Sequence, residues 1–445
     1  MSSIQDKNKN SAKSQNQPSK CNCFMSPLFS AFSSLPKGIF SVSLFGLFLG
    51  ISTTMVYSQL SLFLKYELHA SELKIALIDG VVEFIAYAMR VFSGVISDYL
   101  RNRKLLLLAG CTVTLLMKPL FAIAQSAFMV FVAQAMERVG NGLQAVPRDA
   151  LIADLSPKET LGQSFGFSRS FKTAGSLLGT CIAILIMWLT CNNFRLVFLC
   201  SAIAVLVSIF YLSKVKAKEE IYGKAGQTTD DKNAAPFIKK PKIENPFQKK
   251  YLQSMDRSFW KMITLAAIFE LGHFSEHLLP IYGRTFVSIT MAGSVGMFIS
   301  IGQIFCSFPI GLYADRLGKG KFIKICMLMM IAANLLFISA EYIGSIFPVY
   351  AAAFLWGGQM TAVQGLFLSI ITERIDSHLR GTAIGLYYCS IGTSYLIASA
   401  IAGDIWNEVG SFYAFIYSIV FCLISLSLFR VLLPKKYEFE GKKCS

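Results

Sequence analysis

The chain has 445 residues, of which 54% are hydrophobic and only 15% charged, and its mean hydropathy is +0.53. A soluble domain carries roughly 25% charged residues, so these figures argue against a water-soluble globule and, with it, a soluble enzyme. The formal charge of +16 would suit a nucleic-acid binder, but its distribution along the chain gives it a different use.

Residues 1–37 form a polar tail rich in Ser, Lys and Gln. No cleavable signal peptide is evident, because the first apolar run is too long for a signal core. Cys21 and Cys23 lack a second pair at zinc spacing. Six apolar runs follow, near 39–64, 73–97, 105–124, 127–153, 163–189 and 194–213. Each is long enough as a helix to cross about 30 Å of hydrocarbon. A basic segment at 215–256 has no apolar periodicity and contains Lys239, Pro241, Lys242, Asn245 and Pro246. It reads as a flexible linker, with contact to anionic lipid as a second role. Six further runs lie near 258–284, 291–314, 322–340, 344–373, 380–403 and 411–433, and 435–445 form a short tail. The expected fold is therefore an all-α integral membrane protein of twelve transmembrane helices. Residues 38–214 and 257–434 would be its two six-helix pseudo-symmetric halves.

With both termini on one side, that side collects most of the Lys and Arg. It holds Lys7, Arg101, Arg103, Lys104, Lys158, twelve from Lys214 to Lys261, Arg316, Lys319, Lys321, Arg374 and Lys435, among others. The other side holds Lys65, Lys74, Arg195 and Arg284. By the positive-inside rule both termini are expected in the cytoplasm of a multi-pass inner-membrane protein. Topology thus accounts for the basic charge, and no nucleic-acid partner is expected.

Two turns repeat 217 residues apart. Gly94, Asp98, Arg101, Arg103 and Lys104 close the second run, and Gly311, Asp315, Arg316, Gly318 and Lys319 close the eighth. A second pair stands in nearly the same register: Asp154 with Gly162 and Gly166, and Glu373 with Gly381 and Gly385. Repeats at half-chain distance point to internal duplication, which places a substrate site at the interface of the halves.

Ionisable residues inside apolar runs cost roughly 2.5–3.5 kcal/mol each at mid-bilayer, so they should face a cavity or a partner. On a regular helix Asp79, Glu83 and Arg90 fall within about 40° of one another. Glu270, His273 and His277 fall within about 60°, with Glu276 beside them. Glu and His titrate near neutral pH when their environment shifts them, which makes this group a proton-coupling candidate. Two imidazoles and a carboxylate could instead bind a divalent metal, or simply line a cavity. Arg138 is placed near mid-membrane, and Gln359 and Gln364 add uncharged polar groups. Arg90, Arg148, Asp149, Arg169 and Lys172 are expected as an inner charge network around Asp149. It would be either an anion site or a structural closure of the inner mouth.

These features resemble the major facilitator superfamily over nearly the whole chain. Gly311, Asp315, Arg316, Gly318 and Lys319 are similar to that family's Gly-x-x-x-Asp-Arg-x-Gly-Arg-Arg loop. The first copy keeps Gly94, Asp98, Arg103 and Lys104, with Tyr99 and Arg101 at variant positions. Arg138 to Gly142 resembles Arg-x-x-Gln-Gly, and Gly175 to Gly179 resembles the start of an antiporter motif, with Thr180 where that motif has Pro. Val146 to Asp154 is similar to the Ala-Pro-Arg-Asp-Ala-Leu-Ile-Ala-Asp signature of a prokaryotic branch. The resemblance implies a secondary transporter of a small molecule, working by alternating access; a monomer without a cofactor is expected. It also implies that Asp98, Arg103, Asp315 and Arg316 latch the cytoplasmic side, and that Arg138 couples substrate or proton movement. No Gly-x-x-x-x-Gly-Lys-Ser/Thr loop occurs, so an ion gradient, expected to be protons, would supply the energy. A small organic anion or zwitterion would suit an Arg-rich first half facing a Glu/His-rich second half. A divalent-metal transporter using Glu270, His273 and His277, or a non-transporting receptor on the same scaffold, are the other readings.

Overall fold

The computed structural model describes residues 37–100, 103–156, 161–215, 255–375 and 380–432, and these form helices joined by short turns. In chain order the first six are α1 (Lys37–Tyr66), α2 (Glu72–Leu100), α3 (Arg103–Ile123), α4 (Ala127–Leu155), α5 (Leu161–Leu189) and α6 (Phe194–Ser213). They are followed by α7 (Arg257–Glu270), α8 (Leu278–Gly283), α9 (Ile289–Ala292), α10 (Ser294–Leu317), α11 (Lys319–Ile343), α12 (Phe347–Arg374), α13 (Arg380–Glu408) and α14 (Ser411–Leu432). Among the described residues there is no strand. Both the tail with Cys21 and Cys23 and the 216–254 linker lie outside the described residues.

The turns have local causes. The Ser126 hydroxyl accepts from the Met129 amide to start α4, and Asn193 accepts from Leu196 to start α6. Gly344 ends α11 in the left-handed region at φ 67°, where a side chain would be strained.

Nine helical segments among the described residues are long and apolar enough to cross a membrane. Of the long helices, α2 and α4 do not meet that measure. Their interiors carry Asp79, Glu83 and Arg90, and Glu137, Arg138, Arg148 and Asp149, respectively. The expected run at 258–284 is not one helix. It unwinds over 271–277 between α7 and α8. Pro280 lacks an amide hydrogen, and its ring opposes the helical position of the Glu276 carbonyl, while Gly272 gives the chain freedom to turn. The freed Gly272 carbonyl accepts from Ser418 Oγ at 2.6 Å, and Ser418 in turn accepts from Asn334 Nδ2 at 3.0 Å.

Small residues set the closest helix contacts, as expected where lipid removes the hydrophobic drive. A Cβ at Gly175 or Gly179 would collide with the backbone of α1 at Leu47 or Ile51. Gly142 sits against Met89, and Gly358 sits against Cys306. These two contacts, α2 with α4 and α10 with α12, stand at nearly the offset of the repeated turns.

Call the end where α1 begins the terminus side, and the opposite end the far side. Among the described residues, contacts between Lys37–Ser213 and Arg257–Leu432 include several at the far side and mid-level. Thr290 Oγ1 donates to Asn192 Oδ1 at 2.6 Å, Gly293 lies against Gln59, and Gly403 lies against Ala76. The α2–α13 seam runs on through Gly80 to stacked Tyr87 and Tyr388, whose centroids are 5.8 Å apart. On the terminus-side part of α5, Arg169, Ser170 and Lys172 are exposed.

Candidate functional site

The mid-level of the bundle holds a cluster of ionisable side chains shared by α2, α4, the 271–277 segment and α13. Asp79 on α2 is fully buried, with 0% exposure. Its Oδ2 accepts from Ser275 Oγ at 2.8 Å and from Tyr395 OH at 2.9 Å. Its Oδ1 lies 3.4 Å from His277 Nε2. One carboxylate from the first six helices is thereby tied to three groups from the later ones.

One turn along α2, Glu83 pairs with Arg138 of α4 at 2.6 Å. The guanidinium also lies over the Tyr57 ring, 5.2 Å from its centroid. The other neighbour of Tyr57 is the His277 ring, at 4.3 Å between centroids. The order Glu83, Arg138, Tyr57, His277, Asp79 is a continuous chain of contacts across the two sets of helices. Gln134 Nε2 adds a contact to His277 Nε2 at 3.4 Å.

The unwound segment divides residues that a regular helix would place together. His273 faces α12, with Glu270 beside it. Gln359 Nε2 donates to His273 Nε2 at 2.7 Å, so in this amide orientation that ring nitrogen is the acceptor. The His273 Nδ1 then points toward Glu270 Oε2, 3.7 Å away. Phe269 and Trp356 enclose the ring. His277 instead faces α2 and α4. The shared helical face expected for Glu270, His273 and His277 therefore does not form, because 271–277 is not helical. Among the described residues no three His, Cys, Asp or Glu side chains converge as a metal-ligand set.

Glu276 lines a cavity of about 130 Å³ between α1, α5, α8 and α10. The other walls include Thr54, Tyr57, Ser176, Thr180 and Ser300. Glu276 is nine-tenths buried, and its Oε1 makes no hydrogen bond among the described residues. Gln364 Nε2 donates to Tyr87 OH at 2.8 Å, across α12 and α2.

Of the expected inner charge network, Lys172 lies within electrostatic reach of Arg148, Arg90 and Asp149. Arg148 pairs with its neighbour Asp149 at 3.1 Å. Arg90 lies over the rings of Tyr87 and Tyr388, at 5.2 and 5.6 Å. Arg169 and Lys172 are exposed, and among the described residues neither forms an ion pair. Gly94, Asp98, Arg103, Gly311, Asp315 and Arg316 occupy helix positions at the α2–α3 and α10–α11 ends. Their side chains, and residues 101–102, lie outside the described residues.

Sequence reasoning passed over one pair. Lys118 of α3 donates to Glu137 of α4 at 2.6 Å and to the Ser52 carbonyl of α1 at 3.3 Å. Both side chains are buried. Glu137 thus faces α3 while the adjacent Arg138 faces Glu83. The available signal was a lone Lys within an apolar run together with an acid in the neighbouring run.

Apolar helices long enough to span a membrane enclose a charged cleft with a small polar cavity. The sequence model of the Major Facilitator Superfamily matches residues 42–286 and 259–443. The chain belongs to the Major Facilitator Superfamily. An uncharacterized MFS-type transporter of Methanocaldococcus jannaschii is 26% identical over 364 residues, covering 79% of this chain and 84% of that protein. An uncharacterized Mycobacterium bovis protein is 19% identical over 374 residues, covering 83% and 86%. Among solved structures, the D-xylose-proton symporter superposes with TM-score 0.66 at 15% identity, covering 91% of this chain and 99% of that one. The peptide transporter POT in complex with sulfate gives 0.69 at 12% identity, covering 91% and 98%. The nucleoside transporter NupG gives 0.68 at 11% identity, covering 89% and 98%. At these identities the structural likeness establishes the fold alone.

Proposed function

We propose that the chain is a secondary transporter that moves a small organic zwitterion together with protons by alternating access. Its spans would be the nine apolar segments, the charged helices α2 and α4, and the broken α7–α8 segment. They would form two six-helix halves, 38–214 and 257–434, of a monomer in the inner membrane. Residues 1–37, the 215–256 linker and 435–445 would be cytoplasmic, following the positive-inside bias, with the basic linker near anionic lipid.

The observation that carries the proposal is the chain of ionisable contacts between the halves, buried at Asp79 and His277 and half-buried at Glu83 and Arg138. Asp79, Glu83 and Arg138 from one half meet His277 and Ser275 from the other. Opening the far side would separate Asp79 from Ser275, Tyr395 and His277. A protonation change or a bound solute at this seam would therefore bias which side is open. Glu270 with His273 and Gln359 is the second candidate proton site. Between an anion and a zwitterion, the zwitterion fits better, because Glu270 and Glu276 lie at mid-level while Arg90, Arg169 and Lys172 lie toward the terminus side. Asp98, Arg103, Asp315 and Arg316 would latch the cytoplasmic side when the far side opens, with Gly94 and Gly311 allowing close helix approach. Arg148–Asp149 would stabilise the inner mouth.

The test is purified protein in liposomes with a pH-sensitive dye inside, challenged with a panel of small solutes. At least one solute should drive proton movement, and Arg138→Ala or Glu270→Gln should abolish it. Solute-driven flux indifferent to both substitutions would refute these assignments.

A further inference from the structure

We infer that the cavity beside Glu276 is a cation subsite that takes a small alkylammonium group of the transported solute. Its basis is the donor and acceptor arrangement of the walls. The Thr54 hydroxyl has two carbonyls within reach of its one hydrogen, Gly50 O at 2.8 Å and Ser176 O at 2.9 Å. Ser176 donates to Lys172 O at 3.3 Å, Thr180 to Ser176 O at 3.2 Å, and Ser300 to Gly296 O at 3.0 Å. A hydroxyl has one hydrogen. Once that hydrogen is committed to a backbone carbonyl, only lone pairs remain for a guest. Four hydroxyls on three sides of the cavity thus act as acceptors.

Glu276 adds a buried carboxyl oxygen without a partner among the described residues. Buried acceptors are costly when unpaired, so this wall is incomplete without donors. Among the described residues lining the cavity there is no Lys or Arg. Arg138, the nearby fixed cation, is held by Glu83 on the other side of the Tyr57 ring. Asp79 already has Ser275 and Tyr395. An ammonium brings three donors, no acceptor and a positive charge, which complements Glu276 and the four acceptor hydroxyls. A carboxylate or phosphate would set its charge against Glu276 and these lone pairs, with the Tyr57 hydroxyl and the Gln303 amide as neutral donors in the lining. A volume of about 130 Å³ holds roughly four waters at about 30 Å³ each, which suits an ammonium on a short chain. The broken 271–277 segment places Glu276 here, since a continuous helix would restrict its direction.

The inference rests on the transporter reading and sharpens it to a substrate chemistry. Its test is calorimetry and thermal stabilisation of the purified full-length chain at neutral pH. The probes are ethanolamine and serinol, the size-matched diols ethylene glycol and glycerol, and the hydroxyacid glycolate. The amines should bind in preference to the diols and glycolate. Glu276→Gln should weaken amine binding by about tenfold or more, and Thr180→Val by a smaller factor. If Glu276→Gln does not fold, the ranking of probes on the unmodified chain and the Thr180→Val result decide. Equal binding of amines and diols, no amine binding, or undiminished amine affinity in Glu276→Gln would overturn the inference. Liposomes that still couple some solute to protons after such a result would leave the transporter reading standing. Liposomes that move no solute would remove both.

Discussion

Lys118 and Glu137 offer a quantitative test of how charge is held inside this bundle. Lys118 has 0% side-chain exposure and Glu137 7%, with 2.6 Å between them. Lys118→Met would remove the cation and leave Glu137 and the Ser52 carbonyl without their donor. Breaking a buried pair on one side costs about 3–5 kcal/mol, whereas replacing both partners with apolar groups of similar volume is often neutral. At about 2 °C per kcal/mol for a large chain, Lys118→Met should lower the melting temperature by about 6–10 °C. The double variant Lys118→Met with Glu137→Met should recover most of that loss. Thermal unfolding in one detergent, followed by size-exclusion chromatography, reads all four corners of the double-mutant cycle. A single variant melting within about 2 °C of the parent, or a double variant no better than the single, would refute the view that the pair is buried and mutually compensated.

Asp79→Asn should loosen the far-side seam, since the anion that holds Ser275, Tyr395 and His277 becomes neutral. Hydrogen exchange should rise in peptides covering 271–279 and 392–399, and unchanged exchange would contradict that role. Gly175→Leu should prevent stable accumulation of the protein, because its side chain has no room against Leu47. Gly166→Ala, with nothing within 4 Å of the added atom, should be as stable as the parent or more stable by up to about 1 kcal/mol, since Ala favours a helix interior over Gly. Divalent metals should not stabilise the protein through His273 and His277, which engage Gln359 and Asp79 separately. Metal-dependent stabilisation lost in the His273→Ala, His277→Ala double variant would show otherwise.

Much of the helical layout was legible because apolar run length is a strong signal in lipid. The starts of α1, α3 and α6 fall within two residues of the runs read from the sequence. The same rule selected Asp79, Glu83 and Arg138 as residues needing partners, since the bilayer offers none. What it could not supply was pairing. Periodicity placed Arg90 beside Glu83, but Arg90 turns to two Tyr rings, one of them on α13, and Glu83 takes Arg138 from α4. Periodicity also failed at 271–277, where it presupposes the helix that Gly272 and Pro280 interrupt. Lys118 was legible as an anomaly, but only the packing of α3 on α4 and α1 shows what neutralises it. The orientation of hydroxyls around Glu276 lies beyond any sequence pattern, because it depends on which backbone carbonyl each hydroxyl meets.

The measurement closest to the central claim is solute accumulation in proteoliposomes under an imposed pH gradient. A substrate identified by the binding panel should concentrate inside above its outside level. The accumulation should collapse when a protonophore dissipates the gradient, and should be absent with Arg138→Ala. Uptake that only equilibrates, or that ignores the protonophore, would contradict proton-coupled transport through the Glu83–Arg138 and Asp79–His277 seam.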